Sequence, residues 1–236
     1  MTVAVLFDLG NTLAAYYHAS EFSPILADAI EAVHDELGRR RLCDTPLTTA
    51  LSAAPAENRE APDYRFMPLI ERLERIFQVR LGHDRELAAT VGERFLSPIF
   101  ALARVYDDTL PALARLRRAG IRTAIVSNAP WGSPPDLWRR ELEHLGLAGA
   151  VDAVLLCGDG GWRKPAPEIF RAAMHRLSCR PSECVFVGDD LRWDVEGSAS
   201  VGMRPVLIDR EARYPEYAGE RIRSLEELLA LIGVAE

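Results

Sequence analysis

The sequence predicts an α/β fold in which a doubly wound parallel sheet is interrupted near its start by a helical insertion. Two observations lead to this prediction. From Asp107 onward, short apolar runs alternate with amphipathic segments, as in parallel strands joined by crossover helices. Residues 14–106, in contrast, contain several helical patterns and no convincing strand. We therefore expect a core domain formed by residues 1–13 and 107–236, with residues 14–106 as a separate helical domain.

The predicted strands are short apolar runs bounded by polar or small residues. Runs of about 4–8 such residues are typical of strands buried on both faces of a parallel sheet. The first strand joins the others across the helical insertion. In chain order, the predicted strands are Val3–Phe7, Ile121–Val126, Val151–Leu156, Cys184–Val187 and Pro205–Ile208.

The predicted helices place apolar residues at three- and four-residue spacing, so that each helix has one apolar face. Gly38 and Gly120 each follow such a pattern, as glycine does at helix C-termini. Ser224 and Glu227 form a capping box at the start of the last helix, which ends at Gly233. The other predicted helices are Phe22–Leu37, a short helix within residues 43–62, Phe66–Leu81, Glu86–Val105, Thr109–Ala119, Asp136–Leu145, Pro167–Leu177 and a short helix around Asp194–Ser200.

Composition excludes several classes of partner. The net charge of −7 and the lack of a long basic run argue against nucleic acid. No apolar stretch approaches the roughly 18 residues of a membrane span, so we expect no membrane partner. The four cysteines lack metal-ligand spacing, which predicts a reduced, cytoplasmic protein. Lys164 is the only lysine among 28 lysine and arginine residues, which suggests that a compact ammonium group is needed there.

Polar residues follow several predicted strands or lie in the loops beside them. Taken singly, an aspartate such as Asp8 is explained equally well as the cap of the next segment. Because the carboxyl ends of parallel strands meet at one edge of a sheet, we expect these residues to form one site. The residues are Asp8, Ser127, Asn128, Lys164, Asp189, Asp190 and Asp194.

The order of these residues resembles the haloacid dehalogenase superfamily of hydrolases, in its capped phosphatase branch. The first family motif, D-x-D-x-T after an apolar strand, is similar to DLGNT, which starts at Asp8. A Ser or Thr after a second strand matches Ser127, and a lysine matches Lys164 in RKPAPEIF. The acidic loop G-D-x-x-x-x-D matches GDDLRWD, which starts at Gly188. The helical insertion matches the cap domain of one large branch, so that the resemblance covers essentially the whole chain.

The resemblance implies a magnesium-dependent phosphatase that acts on a small phosphorylated metabolite. Asp8 would attack the phosphorus to give an aspartyl-phosphate, while Lys164 and Ser127 bind the phosphoryl group. Mg²⁺, the implied cofactor, would reduce the repulsion between the two anions. The implied metal ligands are the Asp8 carboxylate, the backbone carbonyl of Gly10, and Asp189, with Asp190 and Asp194 either orienting the metal's water molecules or binding it directly. The implied substrate-binding residues are Asn11, Thr12, Ser127, Asn128 and Lys164.

An aromatic segment follows the first motif. Tyr16, Tyr17 and His18 lie a few residues after Asp8, and Trp131 lies in the loop after a later strand. Each of them either lines the substrate pocket or packs in the core. We take His18 as a further substrate-binding candidate.

Gly10 departs from the family pattern, which usually has a second aspartate at this position. That aspartate protonates the leaving oxygen and later activates water, which is typically worth ~10²–10⁴ in rate. Glycine has no side chain for this role, although its carbonyl can still bind metal. Three outcomes stay open: a slow phosphatase that favours good leaving groups, a phosphatase with a replacement acid such as His18 or water, and a catalytically weak phosphate-binding or regulatory protein.

Other branches of the superfamily also lack this aspartate. Metal-independent 2-haloacid dehalogenases use the same nucleophile on carbon, but the pair Asp189 and Asp190 argues against that alternative. The phosphonate-cleaving branch needs a lysine in its cap, and residues 14–106 contain none.

Overall fold

The apolar runs form a parallel sheet in the computed structural model, which describes residues 2–234. Within these residues the main sheet has six strands in the order β5-β4-β1-β6-β7-β8, all pairs parallel. The first strand thus lies centrally, between strands from the second half of the chain. The strands are β1 (Ala4–Phe7), β2 (Ala14–Ala15), β3 (Arg104–Val105), β4 (Arg122–Ser127), β5 (Ala153–Leu156), β6 (Cys184–Gly188), β7 (Arg204–Ile208) and β8 (Arg221–Ile222).

Helices connect the strands and pack on the sheet. The helix Pro167–Leu177, which lies in the connection from β5 to β6, contacts both β4 and β5. None of the helices within residues 2–234 combines the length and apolar character that a bilayer crossing requires. The helices are α1 (Phe22–Arg39), α2 (Leu47–Glu57), α3 (Leu69–Phe77), α4 (Arg85–Phe100), α5 (Thr109–Arg118), α6 (Pro135–His144), α7 (Cys157–Gly160), α8 (Pro167–Leu177), α9 (Gly197–Ala199) and α10 (Leu225–Leu231), with a π-helical turn at Leu191–Glu196.

Four consecutive helices, α1 to α4, lie between β2 and β3. The two short strands pair antiparallel, Ala14 with Val105 and Ala15 with Arg104, so both ends of the helical segment are held side by side. Within the segment, α1 packs mainly on α4 and α2. The inserted helices therefore leave and rejoin the rest of the chain at one place.

The predicted fold class is confirmed, with differences at the shortest elements. All five predicted strands are present within one or two residues of the predicted ends. The predicted helix Glu86–Val105 ends at Phe100, because Arg104 and Val105 pair with β2 instead. Neither this pair of strands nor β8 was predicted, since two residues are too few to show an alternating pattern.

The centre of the sheet is buried on both faces. All four residues of β1 are fully buried, and so are the apolar residues of its neighbours β4 and β6. Phe170 of α8 packs edge-on against Phe186 of β6, with ring centroids 5.1 Å apart. This packing fixes the strand ends, and the side chains that follow them have a rigid support.

Candidate active site

Three strand ends meet at one edge of the sheet, at β1 and its two neighbours. Asp8 follows β1, Ser127 is the last residue of β4, and Asp189 follows β6. The backbone N–H of Asp8 donates to the carbonyl of Val187 at 2.9 Å, which continues the β1–β6 pairing. All three residues line one cavity. The parallel sheet thus brings together residues that lie far apart in the sequence.

Lys164 links two of the predicted acidic residues. Its Nζ donates to Oδ1 of Asp8 and to Oδ1 of Asp194, each at 2.6 Å, and the residue is only 2% exposed. Burial alone would lower the pKa of Lys164, but the two carboxylates outweigh burial and raise it above its usual range. The side chain of Asn128 holds the lysine backbone, accepting from its N–H at 2.8 Å and donating to its carbonyl at 3.1 Å. The ammonium group is therefore charged and fixed beside Asp8.

Asp194 is presented by the π-helical turn that follows β6. Asp190 caps this turn, since its Oδ1 accepts from the backbone N–H groups of Arg192 and Trp193 at 2.8 Å each. Oδ2 of Asp194 accepts from the N–H of Asp190 at 3.1 Å. A Cβ at Gly188 would lie 2.3 Å from Cγ of Asp194, so the approach requires glycine. Burial raises the pKa of Asp194, and Lys164 opposes this shift.

Asp189 is paired with an arginine from the loop after β7. Its Oδ2 accepts from Nη2 of Arg213 at 2.8 Å. Burial raises the pKa of Asp189 to about 6, the Asp8 carboxylate adds to the shift, and Arg213 opposes it. Buried Asp209 positions the arginine, because its carboxylate accepts from the N–H groups of Arg213 and Tyr214 at 2.7 and 3.0 Å.

Three carboxylates are close enough to share one cation. One oxygen from each of Asp8, Asp189 and Asp194 lies within 4.8 Å of the other two. Carboxylate oxygens are the ligands that Mg²⁺ prefers. The cationic side chains that contact this group are Lys164 and Arg213, so the three carboxyl groups outnumber them. The donor set therefore fits a divalent cation, whereas Asp190 lies outside this group of three and caps the turn.

The strand ends open into a cavity of about 360 Å³, a size suited to a small metabolite. Much of its wall is aromatic, and the segment after the first motif contributes to it. Helices α1 and α3 of the insertion and the residues after α2 also contribute to the lining. The lining residues include Gly10, Tyr16, Tyr17, His18, Phe22, Asn58, Arg59, Glu60, Arg72, Trp131, Trp138, Arg163 and Trp193.

Comparison with known proteins identifies the family. A family model described as a haloacid dehalogenase-like hydrolase matches residues 2–202. The chain belongs to the haloacid dehalogenase-like hydrolases. It is thus a hydrolase, as the strand-end residues predict.

Similar members of the family include phosphatases. The chain is 31% identical over 222 residues to the ribulose-1,5-bisphosphate 5-phosphatase of Halopiger xanaduensis, covering 89% of this chain and 85% of the relative. It is 31% identical over 215 residues to the phosphoserine phosphatase of Thermus thermophilus, covering 77% and 82%. The crystal structure of a HAD phosphatase from Thermococcus onnurineus is similar with a TM-score of 0.70 and 29% identity, covering 99% of both chains.

Gly10, where the family pattern has an acidic residue, faces open space. A Cβ built on Gly10 meets no atom of the described residues within 4 Å, apart from its chain neighbours. Its backbone does not lie in the left-handed region, so a side chain would be tolerated. The site therefore has room for the usual aspartate.

The other predicted substrate-binding residues differ in where their side chains lie. Asn11 bonds the backbone of its own loop, donating to the carbonyl of Tyr17 at 3.1 Å. Thr12 is fully buried and lies outside the cavity lining. His18 lines the cavity, and its Nε2 lies 3.1 Å from Oε1 of Glu211. Asn11 and His18 both line the cavity. Of these two, within residues 2–234, only His18 has a side chain that makes no hydrogen bond to the backbone.

Four arginines line the cavity, and the sequence alone does not indicate which ones do so. Arg213 could have been found from the sequence. Asp209 follows β7 as Asp8 follows β1, which indicates that the loop after β7 also reaches the site, and this loop carries Arg213. The others resemble ordinary surface arginines in a sequence with 27 of them among its 28 basic residues. These other three are Arg59, Arg72 and Arg163.

Proposed function

We propose that this hydrolase is a magnesium-dependent phosphomonoesterase that acts on a small phosphorylated metabolite through an aspartyl-phosphate on Asp8. The observation that carries the proposal is the contact of Lys164 with Asp8 and Asp194, close to Asp189. Asp8, Lys164 and Asp189 line the cavity. A carboxylate held by a fixed cation, with space in front of it, is arranged as a nucleophile. The related phosphatases support the substrate class.

The reaction proceeds in two steps at Asp8. A carboxylate oxygen attacks phosphorus, the bond from phosphorus to the leaving oxygen breaks, and the leaving oxygen takes up a proton. Water then cleaves the acyl phosphate, which releases inorganic phosphate and restores the carboxylate. Lys164 holds one oxygen of Asp8 and offsets the charge that builds up on the phosphoryl oxygens, and the Ser127 hydroxyl binds that group.

We assign Asp8, Asp189 and Asp194 as the residues that hold Mg²⁺. Bound there, the metal supplies a Lewis acid that polarises the phosphoryl group and reduces its repulsion by the carboxylates. The excess of carboxylates over cationic side chains supports this assignment. The Gly10 carbonyl is assigned as a further ligand because this residue lines the cavity.

We further propose that residues 14–106 act as a cap domain over a core of residues 1–13 and 107–236. The cavity wall includes residues from both parts, with Asp8 and Ser127 from the core and Arg59 and Arg72 from the insertion. Both ends of the insertion leave the core at the β2–β3 pair. This arrangement lets the insertion enclose the substrate while the phosphoryl group is transferred to Asp8.

The absence of a side chain at Gly10 is the reason to consider an alternative to the proposed function. Without the usual acid the leaving group takes its proton from water or from His18, which lines the same cavity. We therefore expect slow turnover of esters whose leaving groups are poor. A phosphate-binding or regulatory protein without turnover is the alternative outcome.

A phosphatase screen tests the proposal. Phosphate release is measured from a panel of phosphomonoesters including nitrophenyl phosphate, with added Mg²⁺ and with chelator, for the wild type and Asp8→Asn. Asp28→Asn, an exposed carboxylate on α1, is the matched control. We expect Mg²⁺-dependent release that Asp8→Asn loses and Asp28→Asn retains. Equal release by wild type and Asp8→Asn contradicts the proposal, as does halide release from 2-haloacids that survives chelation.

A further inference from the structure

The cavity has a second charged region, formed by arginines. Arg59 and Arg72 from the insertion and Arg163 from the loop before Lys164 all line it. We call these three residues the arginine cluster. Among the described lining residues, Glu60 is the carboxylate on this side of the cavity. The region therefore has net positive charge, in contrast to the carboxylates around Asp8.

Arg163 is buried, but its charge is only partly neutralised and one of its N–H donors lacks a hydrogen-bond partner within residues 2–234. Its side chain is 11% exposed, and its Nη2 lies 3.5 Å from Oε1 of Glu60. The other oxygen of Glu60 lies 3.6 Å from Nη2 of Arg192, so this carboxylate is shared between two guanidinium groups. Within residues 2–234, Nε of Arg163 is buried and has no hydrogen-bond partner. A buried donor of this kind costs free energy unless a ligand satisfies it.

Arg72 is a second buried cation in the same cavity. It is 2% exposed, and its guanidinium donates to the backbone carbonyls of Glu57, Arg59 and Met67. In the described part of the chain it has no ion pair with a carboxylate. Burial lowers the pKa of Arg72 to about 10, and the charge of Arg163 contributes to this shift. The group thus stays ionised at neutral pH, and its charge remains available to an anion.

Backbone hydrogen bonds join the insertion to the loop that carries Arg163 and Lys164. The N–H of Arg163 donates to the carbonyl of Tyr64, and the N–H of Phe66 donates to the carbonyl of Gly161, each at 2.9 Å. These bonds join the insertion to the loop that leads directly into Lys164. Arg163 therefore faces the same cavity as the ammonium group that binds Asp8.

We propose that the arginine cluster binds a second anionic group of the substrate, a carboxylate or a second phosphate, while the phosphoryl group lies at Asp8. The inference rests on the proposed function, which places the phosphoryl group of the substrate at Asp8. It adds that the substrate carries a second anionic group. Guanidinium groups suit both anions, because their planar donors match two oxygens at once. The anion satisfies the free Nε donor and offsets the net positive charge.

Binding of matched phosphonates, which are not hydrolysed, tests the inference without relying on turnover. The probes share a three-carbon chain: propylphosphonate, 3-phosphonopropionate and propane-1,3-bisphosphonate. Their dissociation constants are measured by calorimetry in Mg²⁺ for the wild type, Arg163→Gln and Arg192→Gln. Arg192 contacts the same Glu60 from outside the cavity lining and is the matched control. Arg59→Gln, an exposed lining position, keeps the test valid if Arg163→Gln fails to fold.

We expect the wild type to bind the two doubly functional probes about tenfold to a hundredfold more tightly than propylphosphonate. Arg163→Gln should remove this preference, Arg59→Gln should reduce it about two- to fivefold, and Arg192→Gln should keep it. The doubly functional probe whose affinity falls more in Arg163→Gln identifies the second anionic group as a carboxylate or a phosphate. No preference in the wild type, or equal weakening of all three probes by Arg163→Gln, overturns the inference.

Phosphate release from nitrophenyl phosphate, measured on the same preparations, tests the proposed function separately. If phosphate is released but the wild type does not prefer the doubly functional probes, only the inference of a second anionic group is overturned. A preference without release supports the arginine cluster as an anion site and overturns hydrolysis alone.

Discussion

Lys164 shows why a single residue type matters in a chain that otherwise uses arginine. Its Nζ contacts one oxygen of Asp8 and one of Asp194, both at 2.6 Å, from a fully buried position. A compact ammonium group can donate in two directions from one atom, whereas a guanidinium group is planar and larger. The lysine therefore lets two carboxylates approach one another, and in the proposed reaction it would also attract the phosphoryl group.

Gly10→Asp should restore general acid–base assistance. The position has open space for a side chain and an ordinary backbone conformation. We expect turnover of propyl phosphate, whose leaving group is poor, to rise at least about tenfold more than that of nitrophenyl phosphate. Steady-state kinetics of the two esters measure the difference.

Gly10→Asn is the control for the new side chain, because it has a similar size and no acidic group. It should leave the ratio of the two turnover rates unchanged. A uniform loss of activity in Gly10→Asp, or an equal gain in Gly10→Asn, contradicts a missing acid at this position.

At the residue scale the sequence places polar groups at strand ends but does not reveal where their side chains point. Asp8, Asp190 and Asn128 look alike in this respect, each following a strand. In the structure Asp8 meets the lysine, Asp190 caps a helical turn, and Asn128 bonds the backbone of Lys164. These choices depend on neighbours that are distant in the sequence, and no local pattern encodes them.

The π-helical turn after β6 is the element that positions Asp194. Asp190 caps its first N–H groups, and Gly188 lets it lie close to the strand. The turn thus carries two residues with different roles: Asp190 stabilises the fold as a cap, and Asp194 supplies a carboxylate of the proposed metal site. A substitution in the cap separates the two roles.

Asp190→Ala and Asp190→Asn should differ. Loss of the cap in Asp190→Ala should lower the free energy of unfolding by about 1 kcal/mol, whereas asparagine caps as well as aspartate. Because we assign the Asp190 carboxylate to capping, Asp190→Asn should also keep the Mg²⁺ affinity of the wild type. Chemical denaturation and calorimetric Mg²⁺ titration measure the two quantities. Loss of Mg²⁺ binding in Asp190→Asn would instead make this residue a direct ligand.

At the element scale the sequence predicts the long elements well and the two-residue strands not at all. A helix such as α8 has several turns of apolar periodicity, and its predicted bounds Pro167–Leu177 match the structure. The β2–β3 pair and β8 form because the rest of the fold holds their backbones side by side. Such strands result from tertiary structure, and their own residues give no strand signal.

The whole molecule concentrates opposite charges in one cavity. Carboxylates gather at the sheet edge, and the arginine cluster joins two residues of the insertion with Arg163 from the loop before Lys164. The net charge of −7 gives no indication of this separation. The sequence predicts the acidic residues because they follow strand ends. It does not identify the arginines that line the cavity, because their positions depend on how the insertion packs.

Stabilisation by Mg²⁺ should depend on pH. Burial raises the pKa of Asp189 from 3.8 to about 6. A carboxyl with a raised pKa stabilises the metal-free fold when protonated, and this contribution is lost as pH rises through about 6. Mg²⁺ needs the ionised form, so its gain in melting temperature should be larger at about pH 7.5 than at about pH 5.

Thermal melts with and without Mg²⁺ at the two pH values measure this dependence. Asp189→Asn removes the titrating group and should lose most of the gain at both values. An equal gain at both pH values in the wild type, or a full gain in Asp189→Asn, is inconsistent with Asp189 as a metal ligand.

The most direct test of the central claim is to trap the phosphorylated Asp8. The wild type is mixed with nitrophenyl phosphate and Mg²⁺, quenched in acid and treated with borohydride, which reduces an acyl phosphate to an alcohol. Because Gly10 supplies no base to activate water, the aspartyl-phosphate should persist long enough to be trapped. We predict that peptide mass spectrometry finds homoserine at position 8, only when the ester is present. Phosphate release with an unmodified Asp8 would contradict the account.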